Sequence, residues 1–244
     1  MNKVFIFDVD GTLTPSRLPM TKEFQKFFGE WSKKNKFYLV TGSDLPKLQE
    51  QMCMYDIEAD GIFTCCGNEY WQSDPAVNPK HCDLIYENKF ELPQHLEMFL
   101  NIILKQSEYP HRYGNHIENR GSMVNFSIVG RDCTQEQRDD FFEWDNINGE
   151  RQKIANIIKT KAKGIDAVIG GQISIDIYPE GNDKSQILKH ILNETDEFVF
   201  IGDRIEEGGN DFPLAKLMNK TDNCSLYQTD GWKHTKEILE SLID

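Results

Sequence analysis

Directly after the apolar run Lys3–Phe7 stands the string Asp8-Val-Asp10-Gly11-Thr12-Leu13-Thr14. A short apolar run closed by acids and glycine reads as a buried strand ending in a loop. Two carboxylates so close repel one another, and they cost free energy unless a cation or a shared proton offsets them. In open α/β sheets the carboxyl edge of the strands is where ligands bind. The string therefore asks for a fold that delivers this strand end to a site. The next residues supply one. Thr21–Lys34 carries Phe24, Phe27, Phe28 and Trp31 on one helical face. Phe37–Thr41 reads as a strand, Leu45–Met54 as a helix and Gly61–Thr64 as a strand. Strand–helix–strand alternation implies an α/β fold, a parallel sheet covered by helices.

The pattern changes after residue 84. Leu92–Gln106 reads as a helix, Met123–Val129 as a strand, Gln135–Trp144 and Gly149–Lys163 as helices, and Gln172–Tyr178 as an alternating strand. Asp183–Leu192 then reads as a helix, Glu197–Ile201 as a strand and Trp232–Leu242 as a last helix. The expected organisation is a core of residues 1–84 and 183–244, interrupted by an α+β insert over 85–182.

The chain has 27 Lys and Arg against 40 Asp and Glu, a net charge of −13. Such a body repels polyphosphate, so no nucleic-acid partner is expected, and the same field opposes a small anion unless placed cations overrule it. No run approaches a membrane span, and the apolar run at the start is too short for a signal peptide. The six cysteines form no Cys-x-x-Cys pair. A zinc site is not expected, and reduced thiols in a cytoplasmic protein are.

Three further features sit at strand or helix ends. Thr41-Gly42-Ser43 offers a hydroxyl and backbone N–H groups suited to a phosphate oxygen, although taken alone it is better explained by helix capping through Ser43 or Asp44. Lys184 opens the helix after the insert. Gly202-Asp203 with Gly208-Gly-Asn-Asp211 gathers acids and glycines suited to a hard cation. The insert adds Arg120, Arg131 and Arg138, which suit phosphate by bidentate bonding, or pair with acids nearby.

These motifs, in this order, resemble the haloacid dehalogenase superfamily. Thr12-Leu-Thr-Pro-x-Arg17, Arg120-Gly-Ser-Met-Val-Asn125, Ile128-Val-Gly-Arg131-x-Cys-Thr-Gln-Glu-x-Arg138 and Gly170-Gly-Gln-Ile-Ser174-Ile-Asp176 are similar to the eukaryotic-type phosphomannomutases. The resemblance spans residue 3 to the final helix. It implies a Rossmann-like core and an inserted α+β cap that acts as a lid. Asp8 would be the nucleophile and Asp10 the general acid/base. Mg²⁺ would sit among Asp8, the Asp10 carbonyl, Asp203 and Asp211, while Ser43 and Lys184 hold the phosphoryl group. Arg120, Arg131 and Arg138 would grip the phosphate that is not transferred. Arg17, Asn125, Ser174 and Asp176 would contact the sugar.

The activity implied is an intramolecular phosphotransfer, mannose 6-phosphate to mannose 1-phosphate, with a mannose or glucose 1,6-bisphosphate as activator. A homodimer through the cap, a cytoplasmic location and supply of GDP-mannose synthesis are implied as well. The rival reading is a sugar phosphatase of the same fold, using the same aspartates with water as acceptor. Arg204 departs from the family's usual lysine after Gly-Asp.

Overall fold

The computed structural model describes residues 2–52, 57–73 and 82–242. It divides into two compact units, Met1–Glu87 with Asp183–Asp244, and Asn88–Asn182.

The first unit holds a seven-stranded sheet. Its strands are β1 (Lys3–Phe7), β2 (Lys36–Val40), β3 (Gly61–Thr64), β4 (Glu69–Ser73), β5 (Cys82–Glu87), β10 (Glu197–Gly202) and β11 (Cys224–Gln228). Their spatial order is β11-β10-β1-β2-β3-β4-β5. The first five in that order run parallel, and β4 and β5 add antiparallel to the edge. The expected parallel sheet is present, with an antiparallel edge added to it. Because β5 pairs with β4, residues 85–87 stay with this sheet rather than with the insert.

Side chains alternate across a strand, so a sheet covered on both faces needs apolar residues at both parities. Phe5 and Phe7 of β1, with Val199 and Ile201 of β10, enter one core. Val4 and Ile6, with Phe198 and Phe200, enter the other. The first core is covered by α1 (Lys22–Ser32), α2 (Leu45–Met52) and α8 (Trp232–Leu242). Thr21 caps α1 by accepting from the Phe24 N–H. Its face then buries Phe24, Phe28 and Trp31, with the Phe28 ring 5.3–5.4 Å from those of Phe7, Trp31 and Phe37. Met54, placed in the second helix by periodicity, and Cys53 lie outside the described residues.

The second core is covered in part by α6 (Leu188–Ile191) and α7 (Phe212–Met218). The single helix expected over Asp183–Leu192 is instead a 3-10 turn, Lys184–Ile187, running into the one-turn α6.

The second unit is a four-stranded antiparallel sheet, β6 (Ile117–Asn119), β7 (Val124–Phe126), β8 (Ile165–Gly170) and β9 (Ser174–Pro179), in the order β6-β7-β9-β8. With it come α3 (Gln94–Gln106), α4 (Gln135–Asn148) and α5 (Glu150–Lys161). Val124 and Phe126 of β7 and Ile175 and Ile177 of β9 join the apolar core with Leu100, Phe141 and Ile158. By the same alternation, Asn125, Ser174 and Asp176 occupy the opposite face. Helices α4 and α5 meet at Gly149, whose left-handed backbone (φ 63°) ends the first.

The five described cysteines form no disulfide. Among the described residues no helix is long and apolar enough to cross a membrane.

Phe28→Ala should cost about 3–5 kcal/mol of stability in denaturant unfolding, through lost burial and a cavity between helix and sheet. Ile147→Ala, at a side chain 86 % exposed, should stay within about 0.5 kcal/mol of the parent. Equal costs would contradict this assignment of the core.

Candidate active site

Asp8 follows the last residue of β1, its N–H still donating to Ile201 O of β10 at 3.0 Å. The chain then turns tightly, with the N–H groups of Thr12, Leu13 and Thr14 all donating to Val9 O. Gly11 makes the turn with φ +83°, and a Cβ there would lie 2.6 Å from Asp203 Oδ2. A Cβ at Gly202 would lie 2.7 Å from Asp211 Oδ2. Both glycines thus leave space that carboxylates fill.

Asp8, Asp203 and Asp211 come from three separate segments, and their carboxylate oxygens lie within 4.8 Å of one another. Lys184, at the start of the 3-10 turn and wholly buried, donates to Asp8 Oδ1 at 2.5 Å and to Asp211 Oδ1 at 2.6 Å. Arg204 donates its backbone N–H to Asp211 Oδ2 at 3.2 Å, and its guanidinium lies 3.7 Å from Asp203. Burial alone would lower the Lys184 pKa, but the charges of Asp211 and Asp8 hold it above its ordinary value. Burial, reinforced by Asp211, raises the Asp8 carboxyl well above the usual range against the pull of Lys184. Burial and then Asp211 push Asp203 up to about 7. The Lys184 ammonium and the more distant Arg204 guanidinium do not balance three acids, and an all-oxygen donor set suits a hard divalent cation such as Mg²⁺. The residues therefore fit the ion that the sequence implies.

Asp10 is held at both oxygens. Oδ1 accepts from the Arg17 N–H at 2.5 Å and from Gln51 Nε2 at 2.9 Å, and Oδ2 accepts from Ser43 Oγ at 3.3 Å. Arg17 has φ 60°, an uncommon backbone for a non-glycine residue. The open choice between Ser43 and Asp44 as helix cap is resolved. Asp44 Oδ1 accepts from the Lys47 N–H, while the Ser43 hydroxyl turns to Asp10.

In the second unit a polar row crosses the sheet. Glu118 pairs in register with Asn125, and Asn125 with Asp176. Asn125 Nδ2 donates to Asp176 Oδ1 at 2.7 Å. Ser174 Oγ accepts from Arg131 Nη1 at 2.9 Å. Glu118 Oε2 accepts from Arg120 Nε at 3.0 Å and Nη2 at 2.5 Å, and lies 3.3 Å from Arg131 Nη2. Arg120, Arg131, Asn125, Ser174 and Asp176 are thus brought together. Arg138 sits on the buried side of α4, in line with Phe141 and Asp145. A Cβ at Gly170 would lie 2.3 Å from Asp176 Oδ2, so that glycine makes room for the acid.

Sequence reasoning missed two residues of these clusters. Gln51 breaks the apolar stripe of α2 between Leu48 and Met52, which was a visible signal. Glu118 stands two positions before Arg120, but its link to Arg131 needed the fold.

Solved structures with this architecture include a truncated IMP-nucleotidase of Plasmodium falciparum (TM-score 0.61, 16% identity, covering 99% of this chain and 70% of that one). A haloacid dehalogenase-like hydrolase of Bacteroides thetaiotaomicron gives a TM-score of 0.57 at 15% identity, with full coverage of both chains. These likenesses show that the fold is shared with those proteins. The family described as eukaryotic phosphomannomutase matches residues 24–241. Curated relatives include a phosphomannomutase of Spinacia oleracea, 35% identical over 97% of this chain and 95% of its own length. A probable phosphomannomutase of Caenorhabditis elegans is 31% identical over 98% and 96%, so these relatives extend the match across the amino-terminal segment that holds Asp8 and Asp10. The chain belongs to the eukaryotic phosphomannomutase family.

With its carboxyl pushed up to about 7 from an ordinary 3.8, Asp203 stabilises the cation-free fold only while protonated. That contribution is complete below about pH 4 and lost as pH rises through about 7. A divalent cation favours the ionised form instead. The gain in Tm on adding Mg²⁺ should therefore grow between about pH 5.5 and 8 in thermal-shift measurements. A gain that shrinks with rising pH would contradict the cation assignment.

Proposed function

We propose that this chain interconverts mannose 6-phosphate and mannose 1-phosphate through a phosphorylated Asp8, primed by mannose or glucose 1,6-bisphosphate. The observation that carries the reading is the pairing of Asp8 with buried Lys184 in the first unit, together with an arginine cluster in the second. A hydrolase needs one phosphate site, whereas a mutase must hold the two phosphates of a bisphosphate.

Asp8 attacks phosphorus, and the bond from phosphorus to the sugar oxygen breaks as Asp10 gives that oxygen a proton. In the return step Asp10 takes the proton of the other sugar hydroxyl, which attacks the phosphorylated Asp8 and frees it. Lys184 and the Ser43 hydroxyl offset phosphoryl charge. Mg²⁺, held by Asp8, Asp203, Asp211 and the Asp10 carbonyl, would supply further charge neutralisation. Arg120, Arg131 and Arg138 grip the phosphate that stays, while Arg17, Asn125, Ser174 and Asp176 contact the sugar. Exposed Met98 and Ile102, one turn apart on α3, support a homodimer through the cap. A cytoplasmic protein that feeds GDP-mannose synthesis is the setting this activity suits. The net charge of −13 opposes a nucleic-acid partner, and placed cations rather than the overall field hold the phosphorylated substrate.

Mannose 1-phosphate with Mg²⁺ and catalytic glucose 1,6-bisphosphate should yield mannose 6-phosphate without matching release of inorganic phosphate. Phosphate release without mannose 6-phosphate would overturn the mutase in favour of a phosphatase. Arg138→Ala should raise KM about 10-fold or more, the worth of a charge-assisted bond. An unchanged KM would remove Arg138 from the phosphate site.

A further inference from the structure

Gln51 is wholly buried on α2, between Leu48 and Met52. A buried amide costs free energy unless both its ends are paired. Here only one end is. Nε2 donates to Asp10 Oδ1 at 2.9 Å and to Thr14 Oγ1 at 3.2 Å, whereas Oε1 has no hydrogen-bond partner among the described residues. Methionine is of similar length and would occupy the place without an orphaned oxygen. Stability alone does not account for the amide, and its donor end points at the carboxylate that handles the proton.

We propose that Gln51 is a positioning residue for proton transfer by Asp10, an inference that rests on the acid/base role given to Asp10 above. Two donors, the Arg17 N–H and Gln51 Nε2, converge on Oδ1 and reserve it as an acceptor. A proton on Oδ1 would confront both and lose their bonds. Among the described residues Oδ2 meets only the Ser43 hydroxyl, at 3.3 Å, which can donate or accept. Oδ2 is therefore the oxygen that exchanges a proton with the sugar. As the bond from Asp8 to phosphorus forms and the bond from phosphorus to the sugar oxygen breaks, the proton on Oδ2 passes to the leaving oxygen. In the return step Oδ2 takes it back from the attacking hydroxyl. Gln51 keeps the carboxyl from rotating and exchanging its two oxygens.

The need for this proton depends on the leaving group. A sugar alkoxide is strongly basic and requires it. Acetyl phosphate expels a weakly basic acetate and does not. Loss of Gln51 should therefore slow transfer from sugars while sparing phosphorylation of Asp8 by acetyl phosphate.

The test compares Gln51→Met with the parent and with Asp10→Asn. For Gln51→Met the expected result is a fall of about 10-fold or more in kcat on mannose 1-phosphate, with KM within about twofold. Tm should be equal to or above that of the parent. Phosphorylation of Asp8 by acetyl phosphate, followed by intact-protein mass, should stay within about twofold of the parent. An unchanged kcat would overturn the proposal, as would a lower Tm, failure to fold, or an equal fall with acetyl phosphate. If the parent does not react with acetyl phosphate, kcat and Tm together decide. Full sugar transfer by Asp10→Asn would instead overturn the acid/base role of Asp10, and the two failures are thus distinguishable.

Discussion

The ammonium of Lys184, fully buried between Asp8 and Asp211, is the interaction on which the first unit is built. Removing it would leave carboxylates from separate segments facing one another out of water, a far larger penalty than the loss of a surface pair. Its place explains much nearby. The chain after the insert enters a 3-10 turn rather than a regular helix, and that turn carries Lys184 into the sheet edge. Gly11 and Gly202 are glycines because the carboxyl groups of Asp203 and Asp211 fill the space a Cβ would take. The apolar strands β1 and β10 deliver Asp8 and Asp203 to the same edge because they are parallel and in register.

The second unit handles charge in a similar way. Its sheet commits one face to an apolar core and gives the other to Glu118, Asn125, Ser174 and Asp176. Two guanidiniums, with side chains 5 % and 7 % exposed, converge on one carboxylate, Glu118. Cations and acids are paired inside each cluster, so the overall charge of −13 says little about affinity for a phosphorylated ligand. Recognition rests on a few placed donors rather than on a long-range field.

The strand-end motifs were legible because each ties a chemical requirement to a local pattern. Asp8 and Asp10 follow an apolar strand, and Ser174 and Asp176 are two apart on another, so they share a face. Strands β4, β5 and β11 were not legible. They mix polar and aromatic residues with no clean alternation, and pairing with a neighbour defines them. The cap of α2 was ambiguous in sequence because Ser43 and Asp44 both serve that role chemically, and tertiary contact with Asp10 decides which one does. Gln51 and Glu118 act on residues distant in sequence or beyond their own strand, so their partners became visible only in the fold.

The central claim is that Asp8 carries the phosphoryl group between the two positions of a sugar. The protein should be mixed with glucose 1,6-bisphosphate labelled in its phosphoryl groups, quenched in acid, and its peptides mapped. Label is expected on the peptide that contains Asp8, with transfer of that label to the hexose phosphate when unlabelled mannose 1-phosphate is added before the quench. Label on another residue, or label released only as inorganic phosphate, would contradict it.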